Sequence, residues 1–462
     1  MKRILILLVA LVTFVGIDSA SAQSRNSYFM EGSYFRNDMN PALTPTRGYI
    51  ALPAMSGVGV NMSQNFISVD NFFYKRDGEL VTALHGSVSA NDFLGKLPKV
   101  GKLALDTKVN ILGAGFYNKG MYWTFGVNAN VSADMAMSMD LFKVLKTLGN
   151  GTYDLGNTAI SANAYLDAYV GAAFRVHENV KVGAKVKFLM GIASLEAQFS
   201  ELQARVYPEK VDAAVNGTFR GSGIMFDNSR VGQEVNIADM LNMNVGYMLD
   251  NINSFGAAFD VGAEANFLDN QLKVSAAITD LGFICWAPGT TNVAGTLTGN
   301  FEFNGVNVES EELDSSGSFK MAMREVPKSE DYVSMLNFSF NAGVEYNILD
   351  NRIAFGLLSH TKVCNTMAYS ELTASVNFRP LNWLSATVSH TFLNRNRPGI
   401  FGFALNIHPC GINIYTGLDF IDTQWVNGPV VGGSNIPLPR YMKSMNAYIG
   451  IGFNLARPKY VK

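Results

Sequence analysis

Between Ile160 and Ile192 the chain alternates apolar and polar residues with a period of two. Ala162, Ala164, Leu166, Ala168, Val170, Ala172, Phe174 and Val176 form one set. The interleaved set, Ser161, Asn163, Tyr165, Asp167, Tyr169, Gly171, Ala173 and Arg175, is mostly polar. After His177-Glu178-Asn179 the alternation restarts with Val180, Val182, Ala184, Val186, Phe188, Met190 and Ile192, against Lys181, Gly183, Lys185 and Lys187. A period of two puts successive side chains on opposite faces of a strand, here one dry and one wet. A soluble sandwich strand sustains this for about 5–6 residues. These strands run roughly three times as long, enough to cross a bilayer at a tilt, which takes about 9–11 residues.

The same period recurs along the chain. Alternation begins at Gly48, interrupted by Pro53 and Gly57, and strands are predicted over 79–89, 102–116 and 121–135. In 102–116, Leu105, Thr107, Val109 and Ile111 oppose Asp106, Lys108 and Asn110; in 121–135, Trp123, Phe125, Val127, Ala129 and Val131 point outward. Beyond Gly191 the pattern loosens, with separate strands expected over 196–206 and 211–220. Hairpins follow around Leu268-Asp269-Asn270-Gln271, Leu349-Asp350-Asn351-Arg352, Arg379-Pro380-Leu381-Asn382 and His408-Pro409-Cys410-Gly411, and a last strand covers 445–455. Asp-Asn suits such turns because both residues tolerate positive φ. Leu141, Val144, Leu145 and Leu148 are spaced three and four apart, which predicts a short amphipathic helix before Gly149. That helix is either a loop packed on a rim or part of a ligand gate.

Tight turns alternate with long excursions at 139–159, 200–254, 286–332 and 421–444. Outer-membrane barrels place short turns on the periplasmic side and long loops outside. Trp123, Phe267, Tyr346, Phe378 and Trp383 flank the tight turns, as an interfacial aromatic girdle requires. The predicted fold is an all-β, antiparallel transmembrane barrel of the outer membrane. It has an even number of strands, 14 to 16, over residues 48–456, with a tail at 457–462.

Composition narrows the alternatives. A net charge of -2 and a pI near 6.2 give no reason to expect a nucleic-acid partner. Hydrophobic residues make up 48%, yet beyond the first two dozen positions they never run to the length a transmembrane helix needs. Lys2 and Arg3, the apolar run Ile4 to Ile17 and Ala20-Ser21-Ala22 read as a signal peptide over 1–22, cleaved before Gln23. Residues 23–47 have no strand period and form an irregular segment containing Asn40-Pro41-Ala42 and Pro45. Cys285, Cys364 and Cys410 are odd in number and far apart, so they are expected as unpaired packing residues.

The wet face carries Asp106, Lys108, Asp167, Arg175, Lys181, Lys185, Lys187, Asp260, Glu264, Glu345, Glu371 and Arg379, with Tyr165 and Tyr169 narrowing the bore. A selective ion pore would favour one sign of charge; both signs here predict a salt-bridged, plugged lumen. On this assignment Val186→Arg, on the lipid face, damages insertion, whereas Lys185→Glu is tolerated. Five scattered histidines lack metal-ligand spacing, and no phosphate loop or dinucleotide signature is present, so no metal or cofactor is expected. Ser359-His360 and Ser389-His390 invite a hydrolase reading. The alternation puts His360 on the lumen face and His390 on the lipid face, out of the hydrogen-bond reach that a catalytic pair needs. The chain is not read as an enzyme.

Three stretches, NDMNPALTP (37–45), VSADMAMSMDLFKVLKTLGNG (131–151) and SAAITDLGFICW (275–286), resemble an uncharacterised family of Bacteroidota outer-membrane barrels. That family is itself similar to the long-chain fatty acid transporter type. The resemblance implies about 14 strands, a lumen hatch in residues 23–47 marked by Asn40, Pro41 and Ala42, and passive diffusion of hydrophobic small molecules. Gly450-x-x-Phe453-x-Leu455 resembles the terminal-strand signal read by the barrel-insertion machinery, although seven residues follow it. The expected partners are membrane lipid, that machinery and a hydrophobic small molecule. The alternative is a non-transporting surface barrel that anchors or assembles partner proteins through the loops 200–254 and 286–332.

Overall fold

The computed structural model describes residues 25–455 apart from 54–56, 67, 77–78, 84, 148–150, 155, 157, 207–210, 224, 227–233, 236–240, 243–253, 287–292, 304–320, 323–330, 393–398, 410, 422–424, 432–433 and 440–443. The expected signal peptide and C-terminal tail, Cys410 and much of the loops 200–254 and 286–332 therefore lie outside the described residues. Fourteen antiparallel strands close into a barrel. They are β1 (Tyr49–Ala51 continued by Val58–Gln64), β2 (Val100–Asn118), β3 (Met121–Ser138), β4 (Thr158–His177), β5 (Val180–Val206), β6 (Ser254–Phe267) and β7 (Leu272–Trp286). The circuit continues with β8 (Tyr332–Met335 and Phe338–Ile348), β9 (Ile353–Val363), β10 (Ala368–Leu381), β11 (Leu384–Phe392), β12 (Ile400–Ile407), β13 (Ile412–Ile421) and β14 (Ser444–Asn454). Both parts of β1 pair with β2 on one side and β14 on the other, which leaves the wall without a free edge.

The burial pattern inverts that of a soluble protein. Val186, Phe188, Phe259, Val261, Phe340, Phe355, Phe403 and Ile449 are exposed on the outside, whereas Asp106, Asp167, Lys187, Asp260, Glu345 and Glu371 are buried within. A closed barrel in lipid accounts for this, because the lipid tails solvate the outer face and the strands pair with one another around the ring.

Two tight turns share one geometry. Leu268, Asp269 and Asn270 all have φ between 52° and 69°, and Leu349, Asp350 and Asn351 repeat this within a few degrees. Asp and Asn were expected to take positive φ, but the leucines were not; both point into solvent at the turn tip.

Two expected strands are corrected. Residues 196–206 are not a separate strand but the continuation of β5, which runs 27 residues. Ala164 pairs with Ala193 and Tyr165 with Gly191, so Ile192 is an extra residue. One inserted residue reverses which face each later side chain meets, so alternation read in a single phase breaks there. Likewise 79–89 does not join the wall. Glu79–Thr82 forms a small hairpin with Phe73–Arg76, followed by a turn and the helix Ala90–Leu94. Its apolar residues, Ala83, Val88 and Phe93, pack on Phe72, Leu94 and Phe142 in a cap at the long-loop end. The predicted amphipathic helix spans Asp140–Thr147 and joins that cap through Phe142, whose ring lies 5.8 Å from Phe93.

Candidate functional site: the lumen and its N-terminal segment

Residues 25–47 lie inside the barrel, and most of them are fully buried. Short turns give the segment backbone hydrogen bonds such as Tyr28 to Arg25 and Asn40 to Arg36, and the wall supplies partners for carbonyls that these leave. Asn413 donates to the Gly32 carbonyl at 2.8 Å, Asn341 to that of Met39 at 2.8 Å, and Arg379 to that of Phe29 at 2.7 Å. Asn40 is the most heavily used polar side chain. Its Oδ1 accepts the Ala42 amide at 2.9 Å, and its Nδ2 lies 3.3 Å from the carbonyls of Ala263 and Ala276 on β6 and β7 and from the Tyr28 hydroxyl. Asn40-Pro41-Ala42 rests on the cross-strand pair Gly183–Gly262. A Cβ on Gly183 would come within 2.4 Å of the Pro41 backbone, and one on Gly262 within 2.1 Å of Asn40 Oδ1. Any other residue at these wall positions would occupy the seat of the segment.

Ion pairs fix the segment as well. Asp38 receives both Lys108 and Lys185 at 3.0 Å. Glu31 pairs with Lys273 and accepts Asn351 at 2.9 Å; Arg25 pairs with Glu371, and Asn26 bonds Asp419. Burial alone would raise the Asp38 carboxyl pKa, but Lys108 and Lys185 override it and hold the group well below the usual carboxylate range. Glu31 behaves the same way, burial being outweighed by Lys273, Arg379 and Arg36.

Of the inward positions read from the alternation, Asp106, Tyr165, Asp167, Tyr169, Lys185, Lys187, Asp260, Glu264, Glu345 and Glu371 are buried, and Lys108 is half-buried. Arg175 is exposed at the tight-turn mouth. Wall-to-wall pairs join Lys187 to Asp260 at 2.8 Å and Asp280 at 2.5 Å, Lys362 to Asp106 at 2.6 Å and Lys181 to Glu264 at 2.7 Å. Lys185→Glu, expected to be tolerated for insertion, would still disturb the N-terminal segment. Lys185 is 2% exposed, touches Asp38 and lies 4.9 Å over the Tyr169 ring, so a glutamate there would confront a carboxylate. His360 is buried and bonds Asn341 at 2.7 Å, while His390 packs outside against Phe392 and Phe401; the two lie on opposite faces.

The remaining lumen is layered. Tyr165, Leu189, Ile284, Trp286, Tyr332 and Leu336 form an inward apolar cluster toward the long-loop end, with Trp286 Nε1 donating to Ser334 at 2.8 Å. Near the tight-turn end, Tyr34 stacks on Tyr49 at 4.2 Å and on Phe35 at 4.4 Å, and Phe35 leads on to Tyr415 and Tyr448. This aromatic column backs the seam where the barrel closes, and there the wall is irregular. Ala51 pairs with Gly113 and Val58 with Val109, so six residues of β1 (52–57) stand against three of β2 (110–112). Gly57, at φ +148°, sits so close to Phe35 that a Cβ would be 2.5 Å from the ring. Cavities of about 700 and 460 Å³ open at the tight-turn mouth on either side of Glu31 and Asn351.

Sequence reading missed Asp38, Arg25 and Phe35, which sit in a stretch without periodicity. A signal did exist on the wall: Gly183 falls in phase with Lys181 and Lys185, and Gly262 with Asp260 and Glu264. Glycine among long polar side chains marks a close approach of another backbone.

Three solved barrels are similar in outline. The toluene transporter TbuX of Ralstonia pickettii is 10% identical with a TM-score of 0.38, the alignment covering 95% of this chain and 96% of that one. A FadL homologue of Pseudomonas aeruginosa is 9% identical over 95% and 98%, with a TM-score of 0.42. The CymD monoaromatic hydrocarbon channel is 11% identical over 95% and 94%, with a TM-score of 0.38. No protein of curated function matches the chain. Residues 41–419 match the model of a family of unknown function, DUF5723, and the chain belongs to that family.

Proposed function

We propose that this barrel conducts hydrophobic small molecules passively across the outer membrane, with residues 25–47 acting as a hatch. The observation that carries the reading is the change of register in β1, between the pairs Ala51–Gly113 and Val58–Val109, with Gly57 beside Phe35 of the segment. A polar, ion-paired lumen offers an apolar solute no favourable straight path, because it would have to displace paired charges. A side exit into lipid at this change of register, next to an aromatic column, would spare such a solute that layer. The inward cluster around Trp286 supplies an apolar surface on the long-loop side. By the usual orientation of such barrels the tight turns face the periplasm.

The test is the initial rate of uptake of radiolabelled naphthalene by intact cells that lack the protein, carry it, or carry a variant with three of residues 52–57 deleted to match β2. Uptake is expected to be fastest with the natural chain and to fall to the background rate with the deletion, while uptake of a small sugar stays unchanged. Equal naphthalene uptake with and without the protein would sink the proposal in favour of the non-transporting barrel that anchors partner proteins.

A further inference from the structure

We infer that the larger cavity at the tight-turn mouth is a binding site for a small oxyanion, a carboxylate or phosphate group, held by Arg36. This does not depend on transport through the barrel. Five cations line the cavity, Arg36, Lys119, Arg175, Lys181 and Lys273, against two carboxylates, Glu31 and Glu264. Both carboxylates are already paired, Glu31 with Lys273 and Glu264 with Lys181, and Arg36 attracts each of them only from beyond ion-pair distance. Among the described residues none forms an ion pair with Arg36, Lys119 or Arg175. Lys119 and Arg175 are exposed at the rim, where water solvates them.

Arg36 differs. It is 5% exposed, it borders the cavity, and its Nε is buried without a hydrogen-bond partner. A guanidinium carries five donors in a planar fork. Withdrawing it from water without an acceptor is costly, and a bidentate oxyanion is the group whose geometry matches the fork. Tyr122 also lines the cavity, although its buried hydroxyl lies against Gly115 and lacks a hydrogen-bond partner among the described residues. Tyr117, Ala173 and Phe174 make the adjoining wall apolar. The site therefore suits an acid group on a compact apolar body.

Titration calorimetry on the detergent-solubilised mature protein tests this, with benzoate, benzyl alcohol and inorganic phosphate as probes. Benzoate is expected to bind, and Arg36→Gln to weaken it tenfold or more, with Arg36→Lys in between and the benzyl alcohol response unchanged. Benzoate binding more tightly than phosphate would identify an organic acid as the ligand; phosphate binding at least as well would identify a phosphate group. No binding of either anion at millimolar concentration, or equal binding to Arg36→Gln that still forms a folded barrel, would overturn the inference. Should Arg36→Gln fail to fold, Glu264→Gln frees Lys181 and is expected to tighten anion binding several-fold; unchanged affinity there would also overturn it.

Discussion

Adjacent residues on one strand carry unrelated tasks here. Val186 is 62% exposed on the outer face, and Lys185 is turned inward onto Asp38. Val186→Arg places a charge in hydrocarbon and is expected to cost roughly 2–4 kcal/mol near the midplane. The amount of heat-modifiable barrel recovered from the envelope should fall. Lys185→Glu is expected to leave insertion intact but to unseat the N-terminal segment, because it removes one of the two cations on Asp38 and adds a repelling carboxylate. Planar-bilayer conductance separates the two variants: Lys185→Glu should leak ions and the natural chain should not. Loss of barrel recovery with Lys185→Glu would place its damage in folding instead.

At the scale of the element, the segment 25–47 is held by a few charged anchors and a glycine-floored seat rather than by secondary structure. Asp38 and Glu31 both have folded-state pKa values below their unfolded ones. Their stabilisation is therefore fully present above the ordinary carboxylate range and is lost only as pH falls through the lowered values. Bilayer conductance is expected to stay closed from neutral pH down to roughly pH 4, the unfolded carboxylate value, and to rise only below it. Opening near pH 6 would mean that groups other than these carboxylates hold the segment. The wall shows how local irregularities matter: an extra residue at Ile192 reverses the faces of β5, and the surplus in β1 sits beside Phe35. Periodicity alone registers such places only as broken pattern.

For the whole molecule, closure decides stability. Each of the fourteen strands pairs on both sides, so opening the ring exposes two full edges to lipid, which cannot hydrogen-bond them. The folded protein should therefore resist detergent at room temperature and migrate faster on electrophoresis before heating than after. An unshifted protein in the soluble periplasmic fraction would contradict a closed membrane barrel.

Most wall strands, their inner and outer faces and the even-numbered barrel were legible in the sequence, whereas 79–89 and the continuity of β5 past Ile192 were not. The legible features follow from a two-residue period sustained long enough to cross a bilayer, and both period and length are local properties. The sequence also marked the mixed charge of the lumen. The fold alone shows which charges meet, that Lys185 and Lys108 converge on Asp38, that Asn40-Pro41-Ala42 lies on Gly183 and Gly262, and that Arg36 borders a cavity without an ion-pair partner among the described residues. Those contacts join an aperiodic segment to strands up to hundreds of residues away. Their energies depend on distance and burial, which no pattern along the chain encodes.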